Sequence, residues 1–278
     1  MKQTVTITKA DGKKELFEDA KLVNSLQNAG GGEEVIAKVV AHMGKEMHDG
    51  MTTGEIYQHA FRLLHEYSLP VAIKYSLRRA LSELGPDGFP FEKYVARIFQ
   101  EWGYETLVGQ AVFGGCVSHE VDVVAWDMEK LVMVEAKFHN EFLLKSDLKV
   151  VLYIKARFDD LKENTYDFGG VRRRLDEGWL VTNTKFTDQA IKYAECKGLK
   201  LLGWNYPKEG NLQNIIESLR LYPFTCLISL SNVHKKALLE KGVILCRDIA
   251  DHPEYLNEIG MSDEGIKRVK EEIRSLNG

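Results

Sequence analysis

The sequence predicts an α/β (α+β) fold in three parts, on three observations. Residues 1–85 read as an alternating hairpin followed by amphipathic helices, and residues 86–222 interleave apolar strand-like runs with helix-period segments. Residues 223–278 carry only short helical patterns. A chain of 278 residues, 44% hydrophobic, is long and apolar enough for two or three domains with real cores. Its 37 basic and 41 acidic residues leave a net charge of −4. That balance excludes a disordered polyelectrolyte and a strongly basic protein that blankets nucleic acid.

Each element follows from local pattern. Residues 4–8 alternate and are β-branched, and Asp11-Gly12 is a hairpin signal. Phe17 leads into a helix with Leu22, Val23 and Leu26 on its apolar face, which Gly30-Gly31-Gly32 breaks. A second helix carries Val35, Ile36, Val39, Val40 and Met43. After Asp49-Gly50, Thr52 or Thr53 caps a third, with Ile56, Ala60, Leu63 and Leu64. A fourth holds Ile73, Leu77 and Leu81 and stops before Gly85-Pro86-Asp87-Gly88, the expected domain boundary.

The middle part opens with a helix over 90–102 and strands near 105–113, 120–126 and 131–137. Val151, Ile154, Phe158 and Leu161 recur at helical spacing. A buried strand follows at 179–183, then a helix capped by Thr187 and a strand at 199–204, giving the order α-β-β-β-α-β-α-β. In the last part, helical patterns at 233–239, 246–250, 253–259 and 262–276 meet at tight joints. No apolar run approaches the ~18 residues of a spanning helix, and the amino terminus has no signal-peptide core. Cys116, Cys196, Cys226 and Cys246 are scattered with no CxxC pair, so a reducing, cytoplasmic setting is expected.

Chemistry concentrates between residues 120 and 137. Asp122 opens an apolar strand, and Glu135-Ala136-Lys137 ends the next. Residues two apart on a strand face the same way, so Glu135 and Lys137 project together, and hairpin pairing brings Asp122 beside them. Two carboxylates suit a hard divalent cation that keeps waters and takes a phosphate oxygen. The lysine suits orientation of the attacking water or stabilisation of developing charge. Spacing alone is equally compatible with a strand-end aspartate and a surface Glu–Lys pair.

Asp122…Glu135-Ala136-Lys137 resembles the PD-(D/E)xK nuclease core. Gly88-Phe89-Pro90-Phe91-Glu92 with Gly103-Tyr104, the run from Val181 to Thr187 with Ala190 and Ala194, and Gly198 to Leu202 extend the likeness to Mrr-type restriction endonuclease domains. The resemblance implies a mixed sheet, Mg²⁺ or Mn²⁺ at Asp122 and Glu135, and Lys137 as a catalytic residue. It adds Glu92 as a further catalytic carboxylate that reaches the metal directly or through water. His119 is an extra base, a phosphate contact or a plain turn residue; His139 and Asn140 are DNA contacts or a strand-end turn. Lys145, Lys149, Lys155, Arg157, Arg172, Arg173 and Arg174 offer phosphate contacts or a solvated face.

The amino-terminal part resembles an ATP-cone through residues 5–9, Ala10, Asp11-Gly12, Glu15, Phe17, Lys21-Leu22, residues 49–53, Glu55-Ile56, Ala72, Tyr75 and Leu77-Arg78. The resemblance implies ATP or dATP as an effector, held by Lys9, Lys21 and Thr53, with Arg78 as a further phosphate contact and Glu15 as a structural or nucleotide contact. Ala10 departs from the basic residue common there, and a cone kept for dimerisation is the alternative. No GxxxxGK[ST] loop is present, so ATP is not read as the fuel of a P-loop motor. Residues 239–276 resemble helix-hairpin-helix modules, which serve DNA binding or packing. The expectation is a metal-dependent DNA endonuclease, homo-oligomeric and nucleotide-regulated, in restriction or phage defence. A nucleotide-responsive DNA-binding regulator with an inactive nuclease fold, or a repair or RNA-processing nuclease, are the rivals.

Overall fold

A computed structural model of the chain describes residues 5–9, 12–85, 87–141 and 144–277. Thr4, Ala10, Asp11 and Pro86, used in the sequence reading, lie outside the described residues. The chain divides into two compact units: residues 1–77 with 226–229 and 264–278, and residues 78–225 with 230–263. Among the described residues no helix is long and apolar enough to cross a membrane.

In the first unit β1 (Thr6–Thr8) and β2 (Lys14–Leu16) pair antiparallel, with Ile7 opposite Glu15. Helices α1 (Asp19–Asn28), α2 (Glu33–Glu46) and α3 (Thr53–Tyr67) follow, and α4 (Leu69–Ser82) runs on across the division between the units. Leu26, Val39, Met43, Ala60 and Leu64 are fully or almost fully buried, as their 3.6-residue spacing requires. Thr52, rather than Thr53, caps α3: its hydroxyl accepts from Glu55 N–H, and the Glu55 carboxylate accepts from Thr52 N–H, a reciprocal capping box.

The second unit contains α5 (Phe89–Glu101), β3 (Glu105–Phe113), β4 (Ser118–Trp126), β5 (Leu131–Lys137), β6 (Lys145–Ser146) and α6 (Leu148–Leu161). It continues through β7 (Tyr166–Phe168), β8 (Val171–Arg173), β9 (Glu177–Thr182), β10 (Lys185–Phe186), α7 (Asp188–Lys197) and β11 (Lys200–Leu202). The main sheet is five-stranded in the order β11-β9-β5-β4-β3. The β3–β4–β5 meander is antiparallel, whereas β9 and β11 join it parallel after helical crossovers. The expected α/β class and mixed sheet are therefore present. The short strands β6, β7, β8 and β10 are additions that no apolar run announces.

Helices cover both faces of this sheet. Val151, Ile154 and Phe158 of α6 pack with Ala190 and Ala194 of α7 onto Met133 and Leu180. Trp179, next to Leu180 on β9, points the other way and meets Phe99 of α5 edge-on at 5.6 Å. The chain then adds α8 (Leu212–Ser218), α9 (Asn232–Glu240), α10 (Cys246–Asp251) and α11 (Glu254–Glu258). The last helix, α12 (Asp263–Asn277), belongs from residue 264 to the first unit. There its buried Glu272 accepts from Ile228 N–H at 2.8 Å, Ser229 N–H at 3.0 Å and the Ser229 hydroxyl at 2.6 Å.

The seat of α6 on the sheet depends on a missing side chain. Gly178 on β9 lies beneath Phe158, and a Cβ there would run into the aromatic ring. Gly178→Ala is expected to cost roughly 1–3 kcal/mol by overpacking, read as a lowered urea midpoint at unchanged slope.

Candidate active site

Strand β4 is interrupted where chemistry needs it. Its register with β3 runs through Val108↔Val123 and resumes at Gln110↔Val121, stepping over Gly109 and Asp122. Gly109 has φ +63°, a conformation open to glycine. On the other side the register with β5 ends at Val123↔Val134. Val121 and Val124, three residues apart, both join the core beneath α6, so the two-residue alternation slips by one around Asp122. The carboxylate fills the resulting gap: Asp122 Oδ2 accepts from Ala136 N–H at 2.7 Å. Asp122 is thereby fastened to β5 between Glu135 and Lys137.

The structure thus brings Asp122, Glu135 and Lys137 together. Glu135 and Lys137 stand in register with Leu180 and Thr182 of β9, Glu135 half-buried and Lys137 exposed. Arg157, from α6, completes the cluster. Its Nη1 donates to Glu135 Oε2 at 2.5 Å, and its Nη2 donates to the Glu120 carbonyl. Burial pushes the Glu135 carboxyl up to about 7, and the charge of Asp122 adds to it, with Arg157 and Lys137 opposing. Asp122 is raised for the same first reason, burial, against the Ala136 N–H bond and the two cations. Glu92, in the first turn of α5, is pushed up to about 7 by burial and then by Asp122, Glu120 and Asp87. Glu92, Asp122 and Glu135 therefore share one acidic field, and Glu120, which the sequence reading passed over, belongs to it.

The donor chemistry fits a hard divalent cation. Asp122 and Glu135 each commit one oxygen to a protein hydrogen bond, which leaves each a second oxygen for an ion. Among the described residues no group of three or more His, Cys, Asp and Glu side chains is arranged to hold a metal. The protein ligands on offer are therefore the carboxylate pair, with waters and phosphate left to complete a shell.

The remaining expected site residues are placed elsewhere or are already engaged. His119 Nε2 lies 2.7 Å from Asp160 Oδ2 on α6, and Asp160 also accepts from Cys116 and Val117 N–H. These contacts, His119 first, hold the Asp160 carboxyl down to about 2 and fix the turn before β4. His139 is held by Asn183, which accepts from its N–H at 2.9 Å and donates to its carbonyl at 2.8 Å; His139 Nε2 lies 3.1 Å from Ser146 Oγ. Burial and Lys137 keep that imidazole below its usual pKa. Asn183, Thr182 and Thr184 are all fully buried. Their polar run at the end of an apolar strand was the available signal for this network. Lys155 pairs with Asp159 one helical turn away. Arg172 Nε donates to Thr165 Oγ1 at 3.0 Å, and the charge of Arg173 helps to lower Asp127, beyond the far end of β4. Arg174 follows that β7–β8 hairpin and is exposed.

In the first unit, Lys9 and Lys21 both reach Glu15, at 2.5 and 3.3 Å, and Lys21 reaches Glu18 at 2.9 Å. Strand β1 is docked on the turn before α3 by Gly50 N–H to Thr6 O (2.8 Å) and Thr8 N–H to Met51 O (3.0 Å). Thr53 begins α3 at that turn. Arg78 belongs to the second unit, where its charge helps to depress Lys185.

A carboxyl with a raised pKa keeps its proton in the folded state while the unfolded chain has lost it. Without divalent metal, stability is therefore expected to fall as pH rises from 4.5 towards about 7. Thermal melts in chelator should show this decline, and Glu135→Gln should flatten it. An unchanged slope in the variant would remove Glu135 as its source.

Comparison with known proteins places this cluster inside a recognised domain. Residues 85–205 match a family model described as restriction endonuclease, and residues 222–277 match one described as AF1548-like, C-terminal. An uncharacterized protein of Archaeoglobus fulgidus is 36% identical over 185 residues, 66% of this chain and 100% of the relative. A crystal structure of AF1548, a protein of unknown function, superposes with TM-score 0.54 at 36% identity, covering 69% of this chain and 97% of that one. The restriction endonuclease MspJI, solved with a 27-mer oligonucleotide, reaches a TM-score of 0.29 at 15% identity over 61% of this chain and 37% of that one, a likeness too loose to carry weight. The chain belongs to the AF1548-like family and carries a restriction-endonuclease domain at residues 85–205.

Proposed function

We propose that this protein is a divalent-metal-dependent DNA endonuclease whose phosphodiester hydrolysis is regulated by ATP or dATP bound to its amino-terminal, ATP-cone-like unit. The observation that carries the reading is the insertion of Asp122 against β5 beside Glu135 and Lys137, within the restriction-endonuclease domain. Asp122 and Glu135 would hold Mg²⁺ or Mn²⁺, which supplies Lewis acidity toward a phosphate oxygen and makes nearby water more acidic. Lys137 orients the attacking water and stabilises charge developing on the phosphate. Glu92, its carboxyl raised to about 7, is placed to hold or pass a proton near neutral pH.

The nucleotide reading is supported by Lys9 and Lys21 meeting at Glu15 beside the Thr53 turn. A triphosphate there would take over the two lysines from Glu15. Nucleotide binding would then act by changing self-association, and so access to DNA, in a cytoplasmic restriction or defence role.

Plasmid and oligonucleotide cleavage with Mg²⁺ or Mn²⁺, with and without ATP or dATP, tests the enzyme reading. Lys137→Ala is expected to lose about 10²-fold or more of the cleavage rate while retaining DNA affinity. Wild type that never cuts under any combination would leave the regulator rival standing. Calorimetric titration should show ATP or dATP binding that Lys9→Ala and Lys21→Ala abolish; no heat in wild type would confine the first unit to a structural role.

A further inference from the structure

The carboxylate pair already has a resident cation, and it is a side chain. Arg157 bridges the two strands at the point where they part, one guanidinium nitrogen on Glu135 of β5 and another on the Glu120 carbonyl of β4. The pair is largely withdrawn from water, with 13% of the Arg157 side chain and 19% of the Glu135 side chain exposed. Its charge also bears on Asp122. A guanidinium in this position competes with a divalent ion for the same carboxylates, because both neutralise one acidic field. An ion that loads onto Asp122 and Glu135 therefore weakens the grip of Glu135 on Arg157.

The released guanidinium has somewhere to go. Lys149, Tyr153 and Arg157 stand four residues apart on α6 and form one stripe. Lys149 and Tyr153 are exposed, and the Tyr153 ring centre lies 5.7 Å from Arg157 Cζ. A guanidinium freed from Glu135 while staying on this exposed ring would present its planar fork to a phosphodiester, with Lys149 two turns away along the same stripe. Resting on the metal-nuclease reading above, we propose that Arg157 is an internal counter-cation that divalent metal displaces from Glu135 and that then binds a phosphate of the nucleic-acid substrate. One side chain would thus couple metal loading to substrate grip. The couple is reciprocal, since substrate that draws Arg157 away frees the carboxylates for metal.

The test measures Mn²⁺ binding without nucleic acid, by electron paramagnetic resonance, at about pH 8 so that carboxylates are ionised. Wild type, Arg157→Gln, Arg157→Lys and Glu135→Gln are compared in the full chain. Arg157→Gln is expected to bind Mn²⁺ about tenfold more tightly than wild type. Arg157→Lys keeps the charge but cannot span both acceptors, so it should fall between the two; Glu135→Gln should lose the site. If Arg157→Gln fails to fold, the lysine variant decides alone. In a Lys137→Ala background, where DNA is not cut, Mn²⁺ should raise DNA affinity about fivefold or more with Arg157 present and leave it flat with Gln. Wild-type Mn²⁺ binding that depends on Glu135 but is unchanged in the folded Arg157 variants would overturn the role of Arg157 and leave the nuclease reading intact. Absence of Mn²⁺ binding in every protein would overturn the nuclease reading, and this inference with it.

Discussion

The hydrogen bond from Ala136 N–H to the Asp122 carboxylate is the contact on which the site depends. A strand whose ladder and two-residue alternation ran unbroken through this point would spend this donor on a backbone carbonyl and leave Asp122 as a side chain on a face. Instead Gly109 turns into left-handed backbone opposite it, the ladder skips the Gly109–Asp122 pair without changing register, and the carboxylate fills the gap. The cost of the lost ladder pairing is offset locally by a charge-assisted bond. The gain is a fixed position for one acid beside Glu135 and Lys137, which the hydrophobic strands on either side hold rigid.

Helix α6 is the second half of the arrangement. Its apolar face, through Val151, Ile154 and Phe158, sets its height above the sheet, and the bare backbone of Gly178 sets how close it comes. Two polar residues ride on that seat. Asp160 gathers the turn before β4 through His119, Cys116 and Val117, and Arg157 reaches down to Glu135. The turn that launches β4 and the cation that faces Glu135 on β5 are therefore placed by one helix. A shift of α6 would disturb both.

Local charge, not net charge, governs this protein. The surplus of acid over base is small across 278 residues, yet burial raises the carboxyls of Glu92, Asp122 and Glu135, and the charge of Asp122 raises Glu92 and Glu135 further. Basic residues are answered just as locally. Lys9 and Lys21 share Glu15 in the first unit, and Lys155 has Asp159. Any phosphate that binds at those positions exchanges one counter-charge for another, so affinity there is set by competition as well as attraction.

The helices of the first unit, the α-β-β-β-α-β-α-β succession of the main elements in the second and the shared face of Glu135 and Lys137 were legible in the sequence. Each is carried by periodicity: an apolar residue every 3.6 or every 2 positions faces the same core whatever lies across from it. The tertiary structure decided the partners. His119 finds Asp160 at 41 residues' separation rather than the carboxylates of Asp122 and Glu135, His139 finds Asn183 at 44, and Arg157 finds Glu135 at 22. The β7–β8 hairpin that carries Arg172 and Arg173, and the membership of α12 from residue 264 in the first unit, were decided in the same way. The physical reason is range. Burial is non-directional and repeats along the chain, whereas a polar contact needs two specific atoms within about 3 Å, and only the packed helices and sheet bring those atoms within reach.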